Sequence, residues 1–162
     1  MDLSGSWTQI QSVAKNRLAH NKTVFHVSDY GDGIEVLGAA GEVCARRFFG
    51  LPETLHEEFD NGCDLVFAGK KIDVKTTVLT PKLNYRYLQW PQTKRIKADI
   101  VLMTAVDPIS MQAVVVGYAT KAEVKLAAVN NGRAYPCREI SVVDLHPPYE
   151  LIIEDMRIRS CL

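Results

Sequence analysis

The sequence has no net charge, no paired cysteines and no long apolar run, and each lack excludes a class of protein. With 19 basic against 19 acidic side chains, bulk charge advertises no polyanionic partner. No stretch approaches the roughly 18 apolar residues of a bilayer span. The opening MDLSGSWTQIQSVAKNR lacks the basic-then-apolar plan of a secretory leader. A cytoplasmic protein that meets no membrane is the expectation. Cys44, Cys63, Cys137 and Cys161 are scattered without CxxC spacing. Neither a disulfide framework nor a zinc site shared with His20, His26, His56 or His146 is therefore supported, and the expectation is buried, reduced thiols. The histidines show no ligand spacing and are expected to be structural.

What is present is ordinary for a globular protein: 162 residues, 47% apolar and 23% charged, enough for one domain over residues 1–162 with a real core. A loose helical pattern covers Ser4 to Leu18, with Trp7, Ile10, Val13 and Leu18 on one side. TVFHV (Thr23 to Val27) reads as a short extended piece, followed by the turn-rich SDYGDG. Small and apolar residues recur at helical spacing from Ile34 to Phe49, and Gly50 followed by Pro52 supplies a stop. DLVF and KIDVKTTVL read as strands, and DIVLMTAV and QAVVVGYA as central strands covered on both faces. KAEVKLAAV reads as a short helix, EISVVDL as an edge strand or extended link, and Tyr149 to Cys161 as an amphipathic helix. The sum is a mixed sheet of four or five strands with helices packed on it.

Charge is unevenly placed. Between Lys70 and Lys97 eight basic residues stand against the single Asp73, a local +7 balanced by −7 elsewhere. This marks a candidate anion-binding face. The window begins inside CDLVFAGKKIDVKTT, where two apolar runs flank Ala68–Gly69. If these two residues form the loop of a hairpin, Phe67 faces Lys70 and Asp64 falls opposite Asp73. Ala–Gly is not a favoured two-residue loop, and a longer or bulged loop would shift this register. Side chains alternate along a strand, so Asp73 and Lys75 share one face and Ile72, Val74 and Thr76 the other. Aspartate is disfavoured in strands, and like charges placed opposite each other work against folding. A divalent cation between the two carboxylates reverses that repulsion, and hard oxygen donors suit Mg2+ or Mn2+.

The pattern D-x8-D-V-K, with an apolar strand around each part, follows the helical stretch GAAGEVCARRFFGLP that carries Glu42. Together they resemble the PD-(D/E)xK, or restriction-endonuclease-like, nuclease superfamily, and within it small phage and prophage proteins. The resemblance spans about Gly38 to Thr77, with Cys63 where the family often has proline. The later strands fit the family core in order only. It implies an α/β (α+β) fold with a restriction-endonuclease-like core. It also implies that Asp64 and Asp73 ligate Mg2+ (or Mn2+), joined by the Val74 carbonyl, with Glu42 contributing directly or through water. Lys75 would orient or activate the attacking water. Glu35, seven residues before Glu42 on the same helical face, is the alternative helix glutamate; the Gly-Glu-x-x-Ala-Arg context favours Glu42. Glu42 and Arg46 at i, i+4 are also spaced for a plain surface ion pair.

The segment PKLNYRYLQWPQTKR places Tyr85, Tyr87 and Trp90 among Lys82, Arg86, Lys94 and Arg95. Cations neutralise backbone phosphates and aromatic faces stack on bases, so Lys82, Arg86, Tyr87, Trp90, Lys94 and Arg95 are candidate nucleic-acid contacts. The same aromatics would equally serve a core, with the cations solvating a connecting face. Gln89 stands where some members of the superfamily carry a downstream glutamine. The implied activity is metal-dependent hydrolysis of phosphodiester bonds, in DNA rather than RNA. The neutral net charge implies modest intrinsic affinity and help from a homodimer or a protein partner. The alternatives are a non-catalytic nucleic-acid-binding protein and a module that interacts with a host protein.

Overall fold

The computed structural model describes residues 1–24, 32–55, 62–79, 86–132 and 136–160, with backbone alone for 20–24 and 32. Two helices come first, α1 (Trp7–Val24) and α2 (Asp32–Phe48). They are followed by β1 (Leu65–Phe67), β2 (Lys70–Val78), β3 (Tyr87–Pro91), β4 (Ile100–Asp107) and β5 (Gln112–Thr120). The chain continues through α3 (Lys121–Leu126), β6 (Val129–Asn130), β7 (Cys137–Ser141) and α4 (Tyr149–Ser160). The fold is mixed α+β, with a four-stranded mixed sheet in the order β1-β2-β4-β5 flanked by helices. β2 and β4 run parallel, while β1 and β5 pair antiparallel at the two edges.

Both faces of this sheet are covered. On one, Ile72 and Val74 of β2, Ile100, Leu102 and Val106 of β4, and Ala113, Val115 and Tyr118 of β5 meet Ala39, Ala40, Val43 and Cys44 of α2. The change from odd to even positions along β5 follows a register shift opposite Met103 and Thr104, where one extra β5 residue is inserted. On the other face, Val101, Met103 and Ala119 pack against Leu88, Trp90, Ile96 and Val124. Leu88 and Trp90 belong to a second, three-stranded sheet in the order β3-β7-β6, which the sequence reading did not contain. The basic aromatic stretch supplies β3, and of EISVVDL, expected as an edge strand or extended link, Val142–Asp144 form a 3-10 turn while Glu139 to Ser141 complete the central strand β7. Its residues are all half-buried, without the deep alternation that would have announced it.

Local chemistry explains the boundaries. α2 ends at Gly50, whose φ of 66° suits glycine. Gly50 N–H donates to Arg47 O at 3.2 Å and Leu51 N–H to Arg46 O at 2.8 Å, a Schellman closure. α3 is opened by a reciprocal capping box between Thr120 and Glu123. α1 runs on to Val24, past the expected start of an extended piece at Thr23. The rest of that piece and the SDYGDG turn up to Gly31 lie outside the described residues. β4 is buried along almost its whole length as expected, but β5 is an edge strand that alternates, with Val114 turned outward.

The edges of the main sheet are short or covered. β1 has three residues, and β5 is bridged by Asp2 at Gln112 and by His146 at Tyr118. Cys44, Cys63 and Cys137 form no disulfide, but only Cys44 is buried; that burial pushes its thiol up to about 11. Cys161, His26 and His56 lie outside the described residues, as does the side chain of His20. No helix among the described residues is long and apolar enough to cross a membrane.

Two positions fix how α2 and the hairpin sit. A Cβ on Gly41 would lie 1.9 Å from Thr76 Oγ1 and 2.5 Å from Thr104 Oγ1, so only a bare backbone fits over that hydroxyl pair. Gly41→Ala is expected to lower unfolding free energy by about 1–3 kcal/mol in urea titration, since the helix must back away from two strands. The β1–β2 loop is Ala68–Gly69, with φ of 50° and 72°, the left-handed pair of a type I′ turn. Alanine is strained there, and asparagine tolerates this conformation. Ala68→Asn is expected to raise stability by up to about 1 kcal/mol in the same titration.

Candidate functional site

The hairpin holds the register read from the sequence, with Phe67 opposite Lys70 and Leu65 opposite Ile72. β1 ends there, one residue short of a paired Asp64. The Asp64 N–H still donates to Ile72 O at 2.9 Å. Its carboxylate turns in along β2 and accepts a hydrogen bond from the Val74 N–H through Oδ2. Backbone groups of alternate strand residues point the same way. Ile72 O and Val74 N both address Asp64, so the Val74 carbonyl points off that same edge of β2.

Asp73 and Lys75 lie on the sheet face away from α2. Asp73 is 2% exposed, and its Oδ1 is engaged by Lys75 Nζ. A Cβ on Gly62 would lie 3.8 Å from Asp73 Oδ2 and 3.7 Å from Lys97 Cβ, so this second oxygen faces the backbone just before Asp64. A carboxylate buried this deeply needs a counter-charge, and Lys75 supplies it from the same strand. The Lys75 ammonium also stands over the Trp90 ring, 5.0 Å from its centroid, with Lys94 Nζ at 5.4 Å.

Glu42 is placed differently. It projects from α2, on the opposite side of the sheet, and is 7% exposed. Both oxygens are held by Arg17 of α1: Nη1 to Oε1 at 2.6 Å and Nη2 to Oε2 at 2.8 Å. Arg17 is the functional candidate that sequence reading missed. Its pKa is raised above the usual arginine value, most by the Glu42 hydrogen bonds, against the cost of burial, and further by the charges of Glu42, Asp64 and Glu35. The signal was its register. Arg17 follows the fully buried Ile10 by seven residues, within the stripe that also buries Val13 and Ala14. Arg46 does not pair with Glu42 along the helix; it donates to Asp64 O at 2.8 Å and Pro52 O at 3.4 Å. Its Nε is buried without a partner among the described residues.

The candidates therefore divide. Asp64 and the Asp73–Lys75 pair meet β2 on either side of Val74, Asp64 at its edge and the pair on its face. Glu42 lies behind Arg17, and no three His, Cys, Asp or Glu side chains among the described residues gather into a metal-holding group. The donor types nonetheless suit a hard cation: the Asp64 carboxylate just ahead of β1, the Asp73 carboxylate of β2 and a Val74 carbonyl aimed off the strand edge. Glu42 is held by Arg17 through both oxygens, so as a ligand it would have to share them with the guanidinium.

Of the candidate nucleic-acid contacts, Arg86, Lys94 and Arg95 are exposed and Tyr87 is 43% exposed, all on β3 or the chain around it. Trp90 is corrected. At 2% exposure, with two ammoniums over its ring and Nε1 donating to Lys94 O at 2.8 Å, it is a core residue and offers no face to a base. Gln89 donates to Glu139 at 3.0 Å, and Lys70 is paired with Glu154 at 2.7 Å. Lys82 and Tyr85 lie outside the described residues.

The Arg17–Glu42 pair, with side chains 16% and 10% exposed, also predicts a sign. Arg17→Met or Glu42→Leu alone is expected to cost about 3–5 kcal/mol, because each strands a buried charge. The double variant is expected to cost clearly less than the two single changes together, which a urea double-mutant cycle reads directly. Compared with known proteins, the chain matches no family model, no curated protein and no solved structure.

Proposed function

We propose that this protein is a Mg2+- or Mn2+-dependent nuclease that hydrolyses phosphodiester bonds, with DNA favoured over RNA. One observation carries the reading: a buried aspartate, Asp73, is paired with Lys75 two residues on, and the Asp64 carboxylate accepts a hydrogen bond from the amide of the residue between them, Val74. A purely structural strand has no use for this set, since each charge costs desolvation that apolar residues would not. Asp64, Asp73 and the Val74 carbonyl would hold the cation. Once bound, it would supply an acidified water and charge stabilisation at the phosphoryl oxygens. The Lys75 ammonium, relieved of Asp73, would orient the attacking water and stabilise the charge that develops on the phosphorane. Arg86, Lys94 and Arg95 would track the phosphate backbone, and Tyr87 has the exposure to meet a base.

A second reading, a nucleic-acid-binding protein without catalysis, is favoured by the neutralised state of the carboxylates: Lys75 holds Asp73 and Arg17 holds Glu42. Cleavage of supercoiled, linear and single-stranded DNA with Mg2+, Mn2+ or EDTA separates the two. Nuclease function expects metal-dependent cleavage that Asp73→Ala lowers by a factor on the order of 10²–10³. Salt-sensitive binding with no cleavage in any metal would establish the second reading instead.

A further inference from the structure

The residue that most needs a purpose is Arg17. It brings a fixed positive charge from α1 into the apolar register of a helix interface, and both arms of its fork close on one carboxylate. Asp64 and Glu35 act on the same guanidinium through space. Of the acidic side chains that sequence reading nominates as metal ligands, Glu42 thus grips a cation that the chain itself provides, and Asp64 and the alternative Glu35 feel its charge.

We propose that Arg17 is a resident counter-cation of this carboxylate set, competing with the divalent ion and setting how readily the site loads. The inference rests on the metal-dependent reading above. Each Glu42 oxygen keeps a second lone pair while the fork is closed. A guanidinium at 2.6 Å nevertheless sets a like charge against any approaching dication, in surroundings that screen it poorly. Binding of the two cations is therefore antagonistic, and linkage makes the antagonism reciprocal: metal loosens Arg17 as Arg17 weakens metal. The arrangement keeps the empty site stable and ties loading to a movement of α1 against α2. A merely structural ion pair would stabilise the fold without touching metal affinity.

The test is a Mn2+ titration followed by electron paramagnetic resonance on the full chain, with thermal unfolding in EDTA alongside. Wild type, Arg17→Gln, Arg17→Lys and the control Asp64→Asn are compared. Arg17→Gln is expected to melt at lower temperature in EDTA yet bind Mn2+ about tenfold more tightly. Binding by this variant where wild type shows none would be the same result in stronger form. Arg17→Lys is expected to fall between, since an ammonium lacks the planar fork that closes in parallel on the two oxygens, and Asp64→Asn to lose binding. If wild type binds Mn2+ and the Arg17 variants bind equally or less tightly, the counter-cation role is overturned while the metal site stands. If neither wild type nor any Arg17 variant binds Mn2+, both fall. Should Arg17→Gln not fold, Arg17→Lys against wild type decides by the same criterion.

Discussion

The close approach of α2 to the paired hydroxyls of Thr76 and Thr104 is the constraint on which the arrangement depends. Those hydroxyls stand 3.0 Å apart across the parallel pairing of β2 and β4, and Gly41 lets the helix backbone rest on them. With the axis pressed down at this point, the residues around it are mostly small: Ala39, Ala40, Cys44 and Ala45, with Val43 the one larger side chain among them. The next residue, Glu42, and then Arg46 are carried below the surface by the same geometry. Burial of charge here follows from a tight helix–sheet contact and demands partners from elsewhere in the chain.

The sheet sorts those charges by face. On the α2 side Glu42 is answered by Arg17, and Arg46 by two carbonyls. On the other side Asp73 is answered by Lys75, whose ammonium rests on Trp90. Asp64 links the two sides at the strand edge. Its carbonyl receives Arg46 while its carboxylate receives the Val74 amide. Every ionic contact named here is charge-assisted and at least partly desolvated, which makes partial removal costly and the local geometry stiff.

Elements with strong local signals were legible. The hairpin register followed from taking Ala68–Gly69 as a two-residue loop, and it held although Ala68 stands where turn chemistry would call for asparagine or aspartate. The stop at Gly50 and the apolar run of β4 were equally plain. The second sheet was not, because β3 mixes Tyr87, Gln89 and Pro91 with its two buried residues and β7 buries none of its residues fully. The pairing of Asp73 with Lys75 on one face was readable from period two. The Arg17–Glu42 contact was half readable: a charge in the apolar register of each helix announces a buried pair, but which partners meet depends on how the helices cross. Trp90 misled because an aromatic among cations has the same composition whether it faces a nucleic acid or serves as a platform for the cations themselves.

The short β1 and the doubly bridged β5 bear on how this molecule can recruit others. A sheet grows by offering a row of unsatisfied amides and carbonyls to an incoming strand. Here one border is only three residues long and the other is already stitched by Asp2 and His146. Backbone-led strand addition thus has little purchase on the borders of the main sheet, which also guards that sheet against fibre-like stacking. Recognition at those borders is left to side chains, where charge and shape rather than main-chain pairing choose the partner.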